Sequence, residues 1–542
     1  MNSLLKTYKK IEYFFGNLKF AVLIIGLFSL ALAYGTFMES FHGTEYAGRL
    51  VYKAWWFFGL QFLMFLSILF ATLIRLPIRK NLYGFYVIHS GLIIIFLGSF
   101  ITYYSGIDGS LILLPNLASR EIQVNEDELQ ITLPAKNKEL KLSLPYVAGE
   151  QKFNVDHDGI RIKRFLPFAE EKLKWIPLTK GESETASSRY QIYTENFGEF
   201  IILSHHQNSS FNSNLQLGPM NVHYLPEALA TCFGVKTSHG LIVWNSETGE
   251  CLSPELKQIK KSTVTGKVLA EVSFKQRNIS FFPDMSPLPL DEELKIDHSS
   301  PFRIFSKKLF EKGVHVFLFG KSLSYFDKVS KTWKGESFNS QDPVSLPWMG
   351  LKLRLIEHRT DAYPAMVPFY SVPTQENGKI ISGELKVMEI EVDGKTVWVK
   401  STEPYELDRQ GEKVVFELGK KKITLPYELI LNNFKMETDP GTKNPASYES
   451  FVTLFRGNEG SSQHHVFMNN PLKVDDFTFY QASYFKTGET FGSVLSVNFD
   501  PGRPWKYLGS FFLVFGSIWH YFIRRKALAP SAVSSRDPRP QK

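Results

Sequence analysis

The chain has 542 residues, a net charge of +8 and a pI near 9.0, with long apolar runs at both ends and a polar, strand-like middle. The length exceeds one ordinary domain, and the basic residues cluster beside the apolar runs rather than in a stripe or recognition motif, which argues against nucleic acid as a partner. The two cysteines, Cys232 and Cys251, do not form a C-x-x-C pair, so neither a zinc ribbon nor a thioredoxin-type site is written here.

In chain order, Lys6, Lys9, Lys10 and Lys19 precede the first apolar run, Phe20–Phe37. Ala31-Leu32-Ala33 has the A-x-A form of a signal-peptidase site, but the run continues past it, so an uncleaved span is expected. The second run is Trp55–Ile74 and the third Leu82–Tyr103, with Arg75, Arg79 and Lys80 between them. The fourth, Tyr507–Ile523, is shorter and is followed by Arg524, Arg525 and Lys526. A helix needs about 20 apolar residues to cross a bilayer and must satisfy its own backbone hydrogen bonds there, so an integral membrane protein with four transmembrane helices is expected. The positive-inside rule puts both termini and the Arg75–Lys80 loop in the cytoplasm, and Met38–Ala54 and residues 104–503 outside. Trp55 and Trp56, Tyr103 and Tyr104, and Trp505 and Tyr507 mark the outer interface. The cytoplasmic tail, 524–542, reads as disordered beyond Lys526.

Residues 104–503 read as a large β-rich extracytoplasmic domain inserted between helices three and four. Glu384–Val392 largely alternates apolar and polar residues, the period of a half-buried strand. Met388 breaks the alternation once, as a bulge would. Asp393-Gly394 separates that run from Lys395–Lys400, a hairpin signal. Similar alternation marks Leu129–Leu133, Lys267–Phe274, Val414–Leu425 and Ser493–Phe499, and one short helix is expected near Pro226–Phe233. A domain of roughly 400 residues has room for two lobes, with a boundary expected at Ser286–Asp291.

His89 lies inside the third run, where an ionisable group points to function with a partner. At 1.5 Å per residue it is roughly 13 Å beyond Lys80, whereas His520 is only about 6 Å before Arg524 and reaches the interface cheaply. Gly84, Gly91 and Gly98 form a stripe that permits close helix contact, and the helical angle turns His89 well away from it. An imidazole presented from a span suits an axial ligand of haem iron. The alternative is a histidine bonded to a neighbouring carbonyl, and from chemistry alone both stay open. His520, beside Trp519 and Tyr521, reads as interfacial. The adjacent pairs His205-His206 and His464-His465 would point to opposite faces of a strand, and His42, His157, His223, His239, His298, His315 and His358 lack metal-ligand spacing. Cys232 and Cys251 are a disulfide candidate in an oxidising compartment, with free thiols or a redox pair as alternatives. Gly320-Lys321-Ser322 imitates the end of a P-loop, but His315 stands where its first glycine belongs. No G-x-S-x-G, H-E-x-x-H or C-x-x-C-H motif occurs, so no catalytic residue is assigned.

Phe15-Gly-Asn-Leu-Lys-Phe-Ala21 and Tyr34-Gly-Thr36 frame the first run, and Tyr52-Lys-Ala-Trp-Trp-Phe57 opens the second. Leu425-Pro-Tyr-Glu-Leu-Ile-Leu-Asn-Asn-Phe434, Asp439-Pro-Gly-Thr442, Pro445-Ala-Ser-Tyr-Glu-Ser450, Asn469-Asn-Pro-Leu472, Tyr480-Gln481 and Asp500-Pro-Gly502 follow before the fourth. In this order they resemble the ResB/CcsB family of cytochrome c biogenesis proteins (System II), in its non-fused form. The resemblance covers the spans and the last third of the outer domain, and is weak over residues 150–344. It implies a subunit of the bacterial inner membrane that assists haem delivery and attachment to apocytochrome c together with a CcsA-type haem-handling partner. A thiol-disulfide reductase is a further partner it brings into view. The family's functional histidine falls on His89, as a ligand of haem held transiently and shared with the partner; His520 is an alternative ligand. The glycine stripe is one face by which the spans would meet that partner, and the bond-forming residues are expected outside this chain. Two other readings compete: a docking scaffold for apocytochrome or the CcsA-type protein that never binds haem, and a membrane-anchored enzyme with a non-local site in the outer domain.

Overall fold

The computed structural model describes residues 2–134, 138–157, 159–180, 184–234, 241–245, 248–252, 255–261, 268–274, 277–281, 302–339, 342–348, 350–409, 411–441, 445–457, 460–488 and 490–528. The boundary expected at 286–291 and the tail beyond 528 lie outside them. Contacts divide the chain into two units, residues 1–170 with 368–542, and residues 171–367.

Helices α1 (Asn2–Phe15), α2 (Leu18–His42), α3 (Thr44–Ala47), α4 (Trp55–Leu73) and α5 (Tyr83–Ser105) precede the strands. The short α6 (Leu229–Gly234) and α7 (Lys307–Phe310) lie among the strands, and α8 (Arg503–Leu528) follows them. By length and composition α2, α4 and α5 are able to cross a membrane. Asn17 starts α2 by accepting the Lys19 N–H on its side chain, and the helix continues past Phe37 until Gly43, whose φ of +84° ends it. The expected outer loop is therefore mostly helical, made of the end of α2, α3 and a π-type turn at Gly48–Tyr52. The basic amino terminus is also helical, and Phe15 of α1 stacks on Phe70 of α4 at 5.7 Å.

α5 and α8 run antiparallel in close contact. A Cβ added at Gly91 would meet the Gly509 carbonyl oxygen at 2.6 Å, one at Gly84 the His520 Cβ at 2.5 Å, and one at Gly98 the Gly502 carbonyl oxygen at 2.9 Å. α8 answers with glycines at the same spacing: Gly509 faces Gly91 and Gly516 faces Ile88. The glycine stripe is thus covered by the chain's own last helix, which corrects its expected use toward a partner. Small residues on both helices let the backbones approach, which supplies the packing that lipid itself does not drive.

In the first unit, a sheet of ten strands has the order 461–466, 445–455, 412–438, 118–133, 107–113, 490–499, 477–487, 472–474, with 405–409 and 138–143 paired alongside. It curls until buried Ser450 on one arm bonds Gln481 at 2.6 Å and Ser493 at 2.7 Å on the other. Leu111, Ile122, Leu429, Val452, Phe479 and Leu495 fill this barrel-like core. The long strands Ala118–Leu133 and Glu412–Thr438 run on into a second core, where Leu129, Ile131 and Phe416 meet Ile162, Phe165 and Ile390. Between the two cores the pairing slips at Gln123/Asp127, a bulge that turns Asp127 inward. Asp393-Gly394 is the expected two-residue turn, with φ of +49° and +83°. The irregularity expected at Met388 falls beside it: Met388 pairs regularly with Val399, while the register against Ile160–Pro177 shifts at Leu385/Val387 and Glu389/Ile390. Lys386, Val387 and Met388 are consequently buried in succession.

The second unit is built from smaller sheets around Tyr190, Tyr224, Val316, Leu318 and Leu353, with a satellite cluster of Phe233, Phe305, Phe317 and Phe319. Residues 319–321 join the antiparallel strands Val314–Leu318 and Ser322–Asp327, not a strand to a helix, so the P-loop-like triplet falls in a hairpin turn and the first residue of the next strand.

Candidate functional site

His89 sits on α5 away from the face that holds α8. Its Nδ1 lies 2.9 Å from the Phe85 carbonyl oxygen, and its ring packs on the Phe85 ring at 3.7 Å. A carbonyl only accepts, so in the neutral ring Nδ1 carries the proton and Nε2 the lone pair. Nε2 has no partner among the described residues. This is the arrangement in which an outer hydrogen bond orients an imidazole for a metal, and it fits one axial position on haem iron. The Arg75 guanidinium lies 4.7 Å from the Phe85 centroid, which adds a cation beside the same ring. His520 packs over Gly84 on the opposite side of α5, with Nδ1 buried and unpartnered, so the fold does not bring the two imidazoles together.

The loop after α2 carries a site that no sequence signal announced. Arg49 and Asp127, 2% and 1% exposed, form a buried ion pair. Lys386 reaches Asp127 at 2.8 Å and Glu45 at 2.7 Å, and Lys420 joins Glu45 at 3.2 Å. Burial works to raise the Glu45 carboxyl, but Lys386 and Lys420 beside it hold it down at about 2. The Arg49 guanidinium also covers the Tyr146 ring at 4.4 Å, and Tyr46 packs edge-on to Phe168 at 5.4 Å. His42 Nδ1 donates to the Pro373 carbonyl at 2.7 Å. Together these contacts pin the first helical hairpin to the β-domain. Their components come from distant strands and from a bulge, which periodicity does not reveal.

In the second unit, His223 Nε2 and His315 Nδ1 are 3.0 Å apart, packed against Phe310 and Phe317. Burial, then the neighbouring His315, lowers His223 to about 4. Ser188 Oγ bonds His358 Nδ1 at 2.8 Å, and His358 Nε2 bonds Glu227 at 3.2 Å, an order reminiscent of a hydrolase triad. Ser188, however, is fully buried and shares its hydroxyl with Tyr224 at 2.7 Å, so it is closed to substrate and braces the core. His205 stacks on Tyr224 and His206 on Tyr363. In the first unit His465 pairs with Glu449 at 2.8 Å and His464 with Ser462 at 2.8 Å. Among the described residues no three His, Cys, Asp or Glu side chains gather for a metal. His239 and His298 lie outside the described residues, as does the side chain of His157. Cys232 and Cys251 are disulfide-bonded, with Cα atoms 5.5 Å apart.

Residues 393–492 match the model of the ResB-like family. This segment is ResB-like. The match bears out the resemblance read from Leu425–Phe434 onward and takes in the barrel strands from 412–438 to 477–487. Protein NrfI of Wolinella succinogenes is 34% identical over 103 residues, 19% of this chain and 11% of that protein, so the chain spans about a ninth of the curated relative it matches. Within the ResB-like segment the quoted motifs have structural work: Gln481 joins Ser450 and Ser493 across the barrel, and Asn469, at φ +64°, turns the chain between strands. Beyond it, Asp500 accepts the Thr102 hydroxyl at 2.5 Å and the Lys506 ammonium at 2.7 Å, tying the end of α5 to the start of α8.

Proposed function

We propose that this chain is a membrane subunit of the System II cytochrome c maturation machinery, assisting haem delivery and attachment to apocytochrome c with a CcsA-type partner. The observation that carries the reading is the ResB-like barrel running directly into the α5–α8 pair, with His89 on α5 held in one tautomer by the Phe85 carbonyl. α8 lies antiparallel along α5, an apolar helix of spanning length, and this supports a fourth crossing. The flanking charges support a reading with both termini in the cytoplasm and the β-domain outside the inner membrane, a compartment that suits the Cys232–Cys251 disulfide.

Haem is the cargo in this scheme. His89 Nε2 supplies one axial position, and the other comes from the partner. The Phe85 carbonyl holds the imidazole in its ligating orientation. α8 closes one face of α5, and α4 packs along Phe96, Phe100 and Tyr103, two to four turns beyond His89 on its own face, so the partner would reach the imidazole beside the α4–α5 contact. The pinned β-domain holds a fixed platform on which apocytochrome thiols meet the haem vinyl groups, with a thiol-disulfide reductase keeping those thiols reduced. A docking scaffold is the second reading, favoured by the same Phe85 bond, which ties His89 Nδ1 to its own helix as in an ordinary buried histidine. Deleting the gene and restoring it on a plasmid tests the function. Haem-stained c-type cytochromes should disappear and return; unchanged cytochromes in the deletion would remove the role.

A further inference from the structure

A cavity of about 500 Å³ opens where the barrel passes into α8, within the range of roughly 300–1,000 Å³ usual for small-molecule sites. Its charged lining is mixed: Lys473 and Arg503 on one hand, Asp475, Asp476 and Asp500 on the other, with Asp500 already engaged by Lys506 at 2.7 Å. Phe477 and Phe499, 5.1 Å apart, form a common apolar wall. Asp475 and Asp476 occupy a tight turn, with φ of +48° and +66°, between the strands Leu472–Val474 and Phe477–Thr487. Asp475 is engaged by Arg456 at 2.9 Å, and Arg503 is oriented by Thr478 at 3.3 Å, by Asn498 and by Asp500 at 3.9 Å. Lys473 and Asp476 are exposed and have no partner among the described residues.

The level of the cavity identifies its surroundings. Phe499 pairs with Ile107, two residues after α5 ends at Ser105. At this level Tyr103, Tyr104, Trp505 and Tyr507 are 50%, 77%, 50% and 71% exposed, an aromatic belt of the kind that marks a membrane–water interface. Below it, Leu508, Phe511 and Phe515 leave an apolar strip of α8 uncovered. Charges of both signs therefore stand at headgroup height above a strip fit for acyl chains.

We propose that this cavity binds the headgroup of an aminophospholipid of the phosphatidylethanolamine type, an inference that rests on α8 crossing the membrane. The phosphate lies against Lys473 and Arg503, and the primary ammonium donates to Asp476. Charge-assisted N–H···O bonds are what an ammonium offers a carboxylate. A choline headgroup has no N–H to give, and its quaternary nitrogen favours an aromatic cage, whereas Phe477 and Phe499 make a single wall. A glycerol headgroup leaves Asp476 unmatched beside a net negative lipid.

The test is native mass spectrometry of the full chain in mild detergent, with ethanolamine, choline and glycerol phospholipids of identical acyl chains added in equal amounts. The ethanolamine lipid should be retained over the choline lipid by about fivefold, the scale of one partly exposed ionic contact. Asp476→Asn should bring the two to parity, and Lys473→Gln should lower retention of all three. Both positions are exposed, and an unchanged melting temperature certifies the fold. Equal retention of ethanolamine and choline lipids by the unaltered chain, or an Asp476→Asn variant that keeps its preference, overturns the proposal. A topology reporter fused after Lys542 separates the two levels of inference. A cytoplasmic reporter with no lipid preference sinks the headgroup site alone, and an extracytoplasmic one sinks the crossing of α8 with it.

Discussion

Replacing Asp127 with leucine removes the carboxylate at the centre of the buried cluster and leaves its cations in place. Arg49, 2% exposed, and Lys386, 9% exposed, would then share Glu45 alone. Breaking a buried ion pair by deleting one partner costs about 3–5 kcal/mol, because the stranded charge stays desolvated. Glu45 remains within 2.7 Å of both cations, so the lower end, about 3 kcal/mol, is expected. For a unit of residues 1–170 with 368–542, at about 2.1 cal/mol/K of unfolding entropy per residue, that is a fall in Tm of about 4 °C. The assay is thermal unfolding of the purified full chain, followed by intrinsic fluorescence and by protease cleavage in the β-domain. Asp127→Leu combined with Lys386→Met should lose less than the sum of the single variants, because the second change removes a charge that the first strands. A Tm within about 1 °C of the unaltered protein would refute the reasoning, since that is the scale of a surface pair.

Gly91→Leu should part α5 from α8, because the first added carbon already meets the backbone at 2.6 Å; cross-linking between engineered cysteines on the two helices should fall, and unchanged cross-linking would contradict the contact. His223 has a folded pKa of about 4, below its ordinary 6.5, so its contribution is complete above pH 6.5 and is lost as pH falls toward 4. Glu45, at about 2, keeps its contribution down to about pH 4.5 and loses it only toward pH 2. Hydrogen exchange should therefore rise first in the second unit between pH 6.5 and 4, and His223→Asn should flatten that slope; an earlier rise around the ion cluster would reverse the assignment. Reducing the Cys232–Cys251 bond, with its separation of 19 residues, should cost that unit about 3 kcal/mol by loop-closure entropy, measured as the denaturant midpoint with and without reductant.

The apolar runs are legible in the sequence because span length and flanking charge are local properties. The hairpin at Asp393-Gly394 is legible because only a few residues accept positive φ at both turn positions. The barrel is not: it joins Ile107–Leu113 to Ser493–Phe499 across most of the chain's length and curls until Ser450 meets Gln481 and Ser493, which no local period encodes. The ion cluster is hidden for the same reason. Glu45, Arg49, Asp127, Lys386 and Lys420 each read as a solvated charge, and only bulges at Gln123/Asp127 and Leu385/Val387 turn two of them inward. The glycine stripe of α5 is visible, and its counterpart at Gly509 and Gly516 has the same period; setting the two side by side would have matched the helices. For His89 the sequence places the imidazole in depth and direction, whereas the choice of ring nitrogen depends on the Phe85 carbonyl.

The most direct test of the central claim is the absorbance spectrum of the chain purified with its CcsA-type partner, with and without His89→Ala. The account predicts a haem band that weakens in the variant and returns when imidazole is added, together with parallel loss and rescue of cytochrome c maturation. A spectrum and a maturation level unchanged by His89→Ala would contradict it, and would leave the haem wholly with the partner and this chain as its scaffold.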